Sequence, residues 1–283
     1  MEREAILAAV QEIEKITNSE WLGGLEKRKL EELEFHNRDR DQAFRSEAAG
    51  NSDTYERFYG NKKYYRATAR SKAYVSEWIA RNARGRIFLD YACGNGENAI
   101  AAAAAGAQLA LGLDISDVSV ANARGFAQRA GVQDSTRFFQ ADAENTKLPE
   151  DSIDTIVCSG MLHHLELSHA FPELLRILKP GGRVLAVEAL DYNPFIKLYR
   201  LMTPDMRTEW EKAHILSLKD VDLARRYFDV EDIRYWHVMG YLGGKLPAVL
   251  PVLDRVDRAL EQIPYVNRMA WMFTFVLRKP VRA

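Results

Sequence analysis

The chain has 283 residues, of which 47% are hydrophobic and 28% charged, and its 39 basic and 40 acidic side chains give a formal net charge of -1 at pH 7. This balance provides no global positive field, so we expect no nucleic-acid partner, and the length is ample for a sizeable core. Two cysteines, a charged N-terminus unlike a signal peptide, and no apolar run of about 18 residues lead us to expect a cytoplasmic protein without stable membrane insertion.

The N-terminal quarter, up to residue 70, is interpreted as a helical cap or lid. Apolar residues at helical spacing predict one helix over 1–16 and a second, amphipathic helix over 21–35. These helices can pack on the main domain, join two subunits of a homodimer, or cover a substrate site, and the pattern alone leaves all three open. The polar stretch 37–61 predicts a loop or a mobile lid.

Strand and helix signals alternate through the middle of the chain, which is typical of a parallel sheet with helices on both faces. A helix is predicted to end near Gly85, because glycine readily terminates helices. The strands that follow are nearly all apolar, which indicates burial on both sides. They begin at Ile87 and then cover 109–114, 136–140, 153–159 and 183–190, the last preceded by a predicted turn at LKPGG.

Two long stretches interrupt this alternation after residue 190. The segments 191–216 and 239–268 contain prolines and many aromatic side chains, and we expect them to form lids over a substrate site. A helix at 220–228 and strands at 230–238 and 269–277 are predicted between and after them.

The segment 87–99, IFLDYACGNGENA, predicts a strand, a glycine turn and the start of a helix. Glycine lacks a Cβ, so the backbone at Gly94 and Gly96 can approach a ligand closely, while the helix N-terminus offers it free N–H groups. With Ala99 in the third position, the turn partly matches the G-x-G-x-x-G pattern of dinucleotide sites. On this pattern alone, several nucleotide-containing ligands remain open.

An aspartate stands at or just after the end of each of the first three strands: Asp90, Asp114 and Asp142. Together with the glycine turn, LKPGG and a last strand suited to antiparallel pairing, these residues resemble the class I S-adenosylmethionine-dependent methyltransferases, in particular the small-molecule group called type 11. The resemblance implies an α/β fold over residues 71–283, with a Rossmann-like, seven-stranded, mostly parallel sheet and an antiparallel last strand. It implies S-adenosyl-L-methionine as cofactor and S-adenosyl-L-homocysteine as product.

The resemblance also implies which positions contact this cofactor. Asp90 would hold the amino group of its methionine moiety, Asp114 its ribose hydroxyls, and Asp142 its adenine amine, against which Ile115 would pack. Ala92 stands where the family often has glycine, so the backbone there is slightly less free. The complete implied set is Asp90, Ala92, Cys93, Gly94, Gly96, Asp114, Ile115, Asp142, Ala143 and Ser159.

Methyl transfer from a sulfonium is an in-line displacement, so the protein must align the acceptor and exclude water. His163 and His164 follow the fourth strand, and an imidazole there could deprotonate or orient the acceptor. The alternative is that one histidine lines the cofactor pocket and the other is packed or solvated. No NPPY-type tetrapeptide follows this strand, which disfavours amide and exocyclic base-amine methylation, and we expect no metal.

Aromatic residues of the cap and the first insertion are predicted to contact the acceptor: Tyr65, Tyr192, Phe195, Tyr199 and Trp210. They favour a small apolar or aromatic molecule, such as a natural-product, quinone or lipid-like intermediate. The same rings can instead form a core beneath a lid. Two other functions remain as alternatives, a non-catalytic cofactor-binding or scaffold protein and an NAD-dependent oxidoreductase. The apolar LPAVLPVL stretch could touch lipid or lie at a dimer interface.

Overall fold

The computed structural model describes residues 2–50, 54–55, 59–244 and 247–281. The other positions, which include parts of the predicted loop at 37–61 and of the second insertion, lie outside the described residues. Within the described chain the predicted α/β architecture is confirmed, because a single seven-stranded sheet organises the fold.

The sheet has the strand order β3-β2-β1-β4-β5-β7-β6. The first five strands pair in parallel, and β7 runs antiparallel to both of its neighbours, β5 and β6. The order reverses between β1 and β4, where open α/β sheets leave a crevice at the strands' carboxyl ends. The strands are β1 Ile87–Tyr91, β2 Leu109–Asp114, β3 Thr136–Gln140, β4 Ile153–Ser159, β5 Leu178–Ala189, β6 Asp229–Trp236 and β7 Met272–Arg278.

The α-helices with described bounds are α1 Glu2–Ile13, α2 Asn18–Gly23, α3 Lys27–Arg40, α4 Gln42–Gly50, α5 Ala69–Ala83, α6 Glu97–Ala104, α7 Asp117–Arg129, α8 Leu167–Ile177, α9 Pro194–Met202, α10 Glu209–Ala213, α11 Leu218–Ala224 and α12 Leu250–Leu260. A 3-10 helix, Gly60–Thr68, leads into α5. None of the described helices combines the length and the apolar character needed to cross a bilayer.

The N-terminal region is more helical than its sequence predicts. The helix predicted over 21–35 is two helices, because α2 ends at Gly24, whose N–H caps carbonyls of the preceding turn. Helix α3 then continues to Arg40, and α4 occupies 42–50, so the predicted loop is wrong up to Gly50. The α4 sequence, QAFRSEAAG, is rich in good helix formers, so its polarity reflects an exposed helix.

The predicted turn at LKPGG is also wrong, because these residues belong to β5. Ile153 of β4 pairs with Leu178, and after a register shift Thr155 pairs with Arg183. The extra residues between the two pairs are accommodated as an irregularity, with Gly181 at a φ of +77°. The strand therefore begins five residues earlier than its apolar pattern suggests.

Both faces of the sheet are buried, as the apolar strands predict. Every residue of β1 is buried. Ile87, Leu89 and Tyr91 belong to one core cluster, whereas Phe88 belongs to the other, together with Trp78 of α5. This alternation follows the two-residue period of a strand. Burial on both faces therefore fixes the position of β1 in the sheet, and with it the position of the turn that follows β1.

Candidate active site

The glycine turn joins β1 to α6 and has the backbone that its residues predict. Gly94 and Gly96 have φ values of +51° and +78°, in the left-handed region, and Ala92 has a φ of 55°. A Cβ on Gly96 would lie 2.6 Å from a ring carbon of Phe138 and 2.9 Å from the Cβ of Ala123. Glycine is therefore required for the turn to approach β3 and α7 this closely.

Asp90, at the carboxyl end of β1, is held by the helix that follows it. Its Oδ1 accepts a hydrogen bond from Asn98 Nδ2 at 3.1 Å, and its Oδ2 accepts one from Ala99 N at 3.2 Å. Burial raises the pKa of Asp90 to about 7, against the effect of these two donors. The carboxyl lines a large cavity and can hold a cationic group there.

Asp114, at the end of β2, orients its carboxylate through two backbone donors. Gly94 N donates to Oδ2 at 2.8 Å, and Ser116 N donates to Oδ1 at 2.9 Å. Ser116 itself caps α7, as its sequence position predicts, by accepting from Ser119 N. The carboxylate is thus tied to the glycine turn and to a helix N-terminus at once, and its remaining lone pairs suit a neutral diol.

A cavity of about 990 Å³ opens above the carboxyl ends of β1, β4 and β5. Seven of the residues predicted for the cofactor or for catalysis line it: Asp90, Ala92, Cys93, Gly94, Ser159, His163 and His164. Three predicted acceptor residues line it as well: Tyr65, Phe195 and Tyr199. The other predicted site residues are not among its lining: Gly96, Asp114, Ile115, Asp142, Ala143, Tyr192 and Trp210.

Helix α3 explains why the far end of the predicted cofactor site is closed off. Lys29 Nζ lies 2.7 Å from Asp142 Oδ2 and 2.9 Å from Glu144 Oε2, so Asp142 is already paired. Asn37 of the same helix accepts from Ser116 Oγ at 2.5 Å. The helix therefore covers the ends of β2 and β3, where ribose and adenine were predicted to bind.

Tyr192 and Trp210, which are predicted to contact the acceptor, are not among the residues that line the cavity and have partners elsewhere. The Tyr192 hydroxyl accepts from Leu218 N at 3.2 Å, at the start of α11. The Trp210 ring stacks on His214, with centroids 3.7 Å apart, and Arg28 lies over it at 4.7 Å. Both rings support the fold of the first insertion.

His163 is fixed by Glu188, a residue that sequence reasoning missed. Glu188 is fully buried near the end of β5, and its Oε1 accepts from Met161 N at 2.9 Å and Leu162 N at 2.8 Å. Its Oε2 lies 2.6 Å from His163 Nδ1. Burial opposes the charged imidazole, but Glu188 raises the pKa of His163 above its ordinary value. A lone acid within the apolar VLAVEAL strand was the signal that could have revealed this partner.

Three charged residues of the first insertion also line the cavity and were missed. Glu211 Oε1 lies 3.2 Å from Arg200 Nη2, 3.6 Å from Arg207 Nε and 3.9 Å from His163 Nε2. Burial, reinforced by Arg200, lowers the pKa of Arg207. One carboxylate thus lies close to two guanidinium groups. Because it balances only one of their two positive charges, this wall of the cavity is locally positive.

Arg40, at the end of α3, lies directly over the glycine turn. Its guanidinium fills the space that a side chain at Gly94 would need, and its Nε is 3.4 Å from Asp39 Oδ2. The cation faces the region beside Asp90, where an amino acid carboxylate could pair with it. Nothing in the local sequence places Arg40 here, because α3 is distant from β1 along the chain.

A family model described as a methyltransferase domain matches residues 89–186, from β1 to β5. The resemblance of this segment to the class I S-adenosylmethionine-dependent methyltransferases is therefore confirmed. The match contains the glycine turn, Asp90, Asp114 and both histidines, whereas α3 and the first insertion lie outside it.

The chain is 38% identical over 101 residues to 27-O-demethylrifamycin SV methyltransferase of Amycolatopsis mediterranei, a match covering 35% of this chain and 37% of that protein. It is 29% identical over 141 residues to ribosomal protein L11 methyltransferase of Photobacterium profundum, covering 47% and 46%. The chain thus spans less than half of either relative. A structure of Bacillus subtilis YcgJ protein superposes with a TM-score of 0.52 at 21% identity, covering 75% of this chain and 100% of YcgJ, which shows a shared fold.

Proposed function

We propose that this protein transfers a methyl group from S-adenosylmethionine to an oxygen, nitrogen or carbon nucleophile of a small apolar or aromatic molecule. The observation that carries the proposal is the Asp114 carboxylate, held by Gly94 N and Ser116 N beside the glycine turn. This arrangement suits a ribose diol on a ligand whose remaining part lies along the turn. An NAD-dependent oxidoreductase is less favoured, because the family model that matches residues 89–186 describes a methyltransferase domain.

The cofactor would lie along the carboxyl edge of the sheet. We assign its ammonium group to Asp90, its carboxylate to Arg40, and its ribose to Asp114, because these side chains follow the edge in that order. Asp142 would receive the adenine amine only when Lys29 gives up its ion pair. Residues 1–70 would then act as a cap, in which the Lys29 side chain of α3 yields when the nucleoside binds.

The acceptor would occupy the part of the cavity between the turn and the first insertion. Tyr65 and Tyr199 line it, and so does Phe195, which is 65% exposed. A concave pocket with aromatic side chains in its wall fits a small molecule better than a protein surface. S-adenosylmethionine supplies the electrophilic methyl group, and the chain's own task is to align the nucleophile and exclude water.

The first experiment measures cofactor binding by isothermal titration calorimetry with S-adenosylhomocysteine and, separately, NADH. We expect the wild type to bind S-adenosylhomocysteine and not NADH. Asp114→Ala should weaken that binding by more than about tenfold, because each charge-assisted hydrogen bond contributes about 1.5–3 kcal/mol. The exposed Asp134 supplies the matched control, and Asp134→Ala should bind like the wild type.

Transfer itself is tested with methyl-labelled S-adenosylmethionine and two acceptor pools, the small-molecule fraction and the protein fraction of a cell extract. Label in the small-molecule fraction supports the proposal. Label in the protein fraction alone would contradict the acceptor class, and binding of S-adenosylhomocysteine with no transfer to either pool would favour the non-catalytic alternative.

We assign the acceptor contact to His163, which lines the cavity and whose Nδ1 is fixed by Glu188. His163→Gln should lower turnover about 100-fold, because misplacing an aligned reactant costs that much. The affinity for S-adenosylhomocysteine should stay within about twofold of wild type, since no cofactor contact is lost. His169→Gln is the control, because His169 is 63% exposed. Wild-type turnover in His163→Gln would refute the assignment.

A further inference from the structure

Three metal-ligating side chains meet where α3 crosses the loop after β4. Glu32 and His36 stand one turn apart on α3, and His164 follows β4. One ligand atom from each lies within 4.8 Å of the others. Glu32 Oε2 is 2.9 Å from His164 Nδ1 and 3.5 Å from His36 Nε2. Both histidines line the cavity, so the cluster borders the proposed acceptor site.

Two of these atoms are buried without a hydrogen bond. Glu32 is 4% exposed, and its Oε2 and His164 Nδ1 have no hydrogen-bond partner, although they are 2.9 Å apart. The other carboxylate oxygen of Glu32 accepts from Thr208 Oγ1 at 2.5 Å, which fixes the carboxylate plane. A close nitrogen and oxygen that are not aligned for a hydrogen bond suit a third atom bound by both.

The donor set and its spacing fit a divalent transition metal. Two imidazoles and one carboxylate bind Zn²⁺ in open protein sites and Fe²⁺ in oxygenases. At bond lengths of about 2.0–2.2 Å, ligand atoms of such a site are about 3–3.5 Å apart. The separations of 2.9 and 3.5 Å from Glu32 Oε2 agree with this spacing.

We propose that Glu32, His36 and His164 form a binding site for one divalent first-row transition-metal ion, with Zn²⁺ the ion that best suits the set. Because His36 and His164 line the cavity, the site borders it. The metal would tie α3 to the loop after β4 and would hold the cap against the sheet. It would also polarise an oxygen of the bound acceptor, a role that rests on the proposed function, whereas metal binding itself does not.

The neighbouring set of His163, His164 and Glu211 is a weaker candidate. Glu211 Oε1 already lies 3.2 Å from Arg200 and 3.6 Å from Arg207, and two guanidinium groups repel a cation. His163 Nδ1 is paired with Glu188. Glu32 faces the two imidazoles and a hydroxyl instead, so the metal belongs on the α3 side.

The test compares metal content by plasma mass spectrometry in four proteins: wild type, Glu32→Gln, His36→Ala and His169→Ala. Each is stripped with a chelator, given one equivalent of zinc sulfate and passed through a desalting column. We expect zinc near one per chain in the wild type and His169→Ala. Glu32→Gln and His36→Ala should lower the affinity for zinc. Loss of an outer-shell partner lowers metal affinity by about 10–100-fold, and we expect a larger loss here because each variant removes a direct ligand.

Titration with S-adenosylhomocysteine and far-ultraviolet circular dichroism are run on the same samples. Zinc lost from Glu32→Gln and His36→Ala, with the wild-type spectrum kept, supports the site. Wild type that retains no zinc, or variants that retain as much as His169→Ala, would overturn it. If a variant misfolds, the wild type and His36→Asn decide the question. Zinc uptake without S-adenosylhomocysteine binding would refute the proposed function and leave the metal site standing.

Discussion

Asp90 illustrates how burial prepares a single residue for binding a cation. Its carboxyl is 1% exposed, and desolvation raises its pKa to about 7 although two donors favour the charged form. The nearby Asp114 contributes in the same direction, by charge repulsion. The residue is thus near half ionised at neutral pH, and an arriving ammonium group would complete its ionisation.

The affinity for S-adenosylhomocysteine should therefore depend on pH. Asp90 loses its proton as the pH rises through about 7, so binding should be about tenfold tighter at about pH 8 than at about pH 6. Calorimetry across this range measures the effect. Asp90→Asn keeps an acceptor oxygen for one of the two donors and removes the titrating group, so it should show weaker, pH-independent binding, whereas Asp134→Asn should follow the wild type. An unchanged pH slope in Asp90→Asn would exclude Asp90 as the titrating group.

Helix α3 is the element that covers part of the sheet edge beside the cavity. Arg28 donates to His164 O at 2.9 Å and to Glu144 Oε1 at 2.6 Å, and Lys29 pairs with both Asp142 and Glu144. These cross-links join residues more than 100 positions apart in sequence. They hold the helix over the sheet by charge, in addition to apolar packing.

Two lysines of α3 offer a matched test of this role. Lys29 is 11% exposed between two carboxylates, so Lys29→Met should lower the free energy of unfolding by about 1–3 kcal/mol, short of the loss expected for a fully buried pair. Lys27 is 91% exposed beside Glu31, so Lys27→Met should change the free energy of unfolding by less than about 0.5 kcal/mol. Urea unfolding measures both. Equal effects would mean that α3 is not held by its buried ion pairs.

At the scale of the whole molecule, the strands β2, β3 and β4 were predictable to the residue, because their short β-type segments are bounded by turns and helices that leave few alternatives. The order of strand ends also predicted that Asp90 and the glycine turn share an edge with the histidines. The boundaries of α2 to α4 were not predictable, since their exposed faces are polar and resemble a loop. The turn predicted at LKPGG was wrong because glycine and proline also occur at bulges within strands.

The sequence by itself determined the sheet and the glycine turn, because these depend on local periodicity and on a connection rule that brings parallel strand ends together. The motifs along these elements carried the resemblance to methyltransferases. Only the tertiary structure decided what faces the turn. Arg40, Glu32 and His36 come from a helix that precedes β1, and Glu211 comes from an insertion after β5. Their meeting depends on how α3 and the first insertion pack against the sheet edge. No short-range pattern encodes that packing, so the pocket's charges and its candidate metal ligands became visible only in three dimensions.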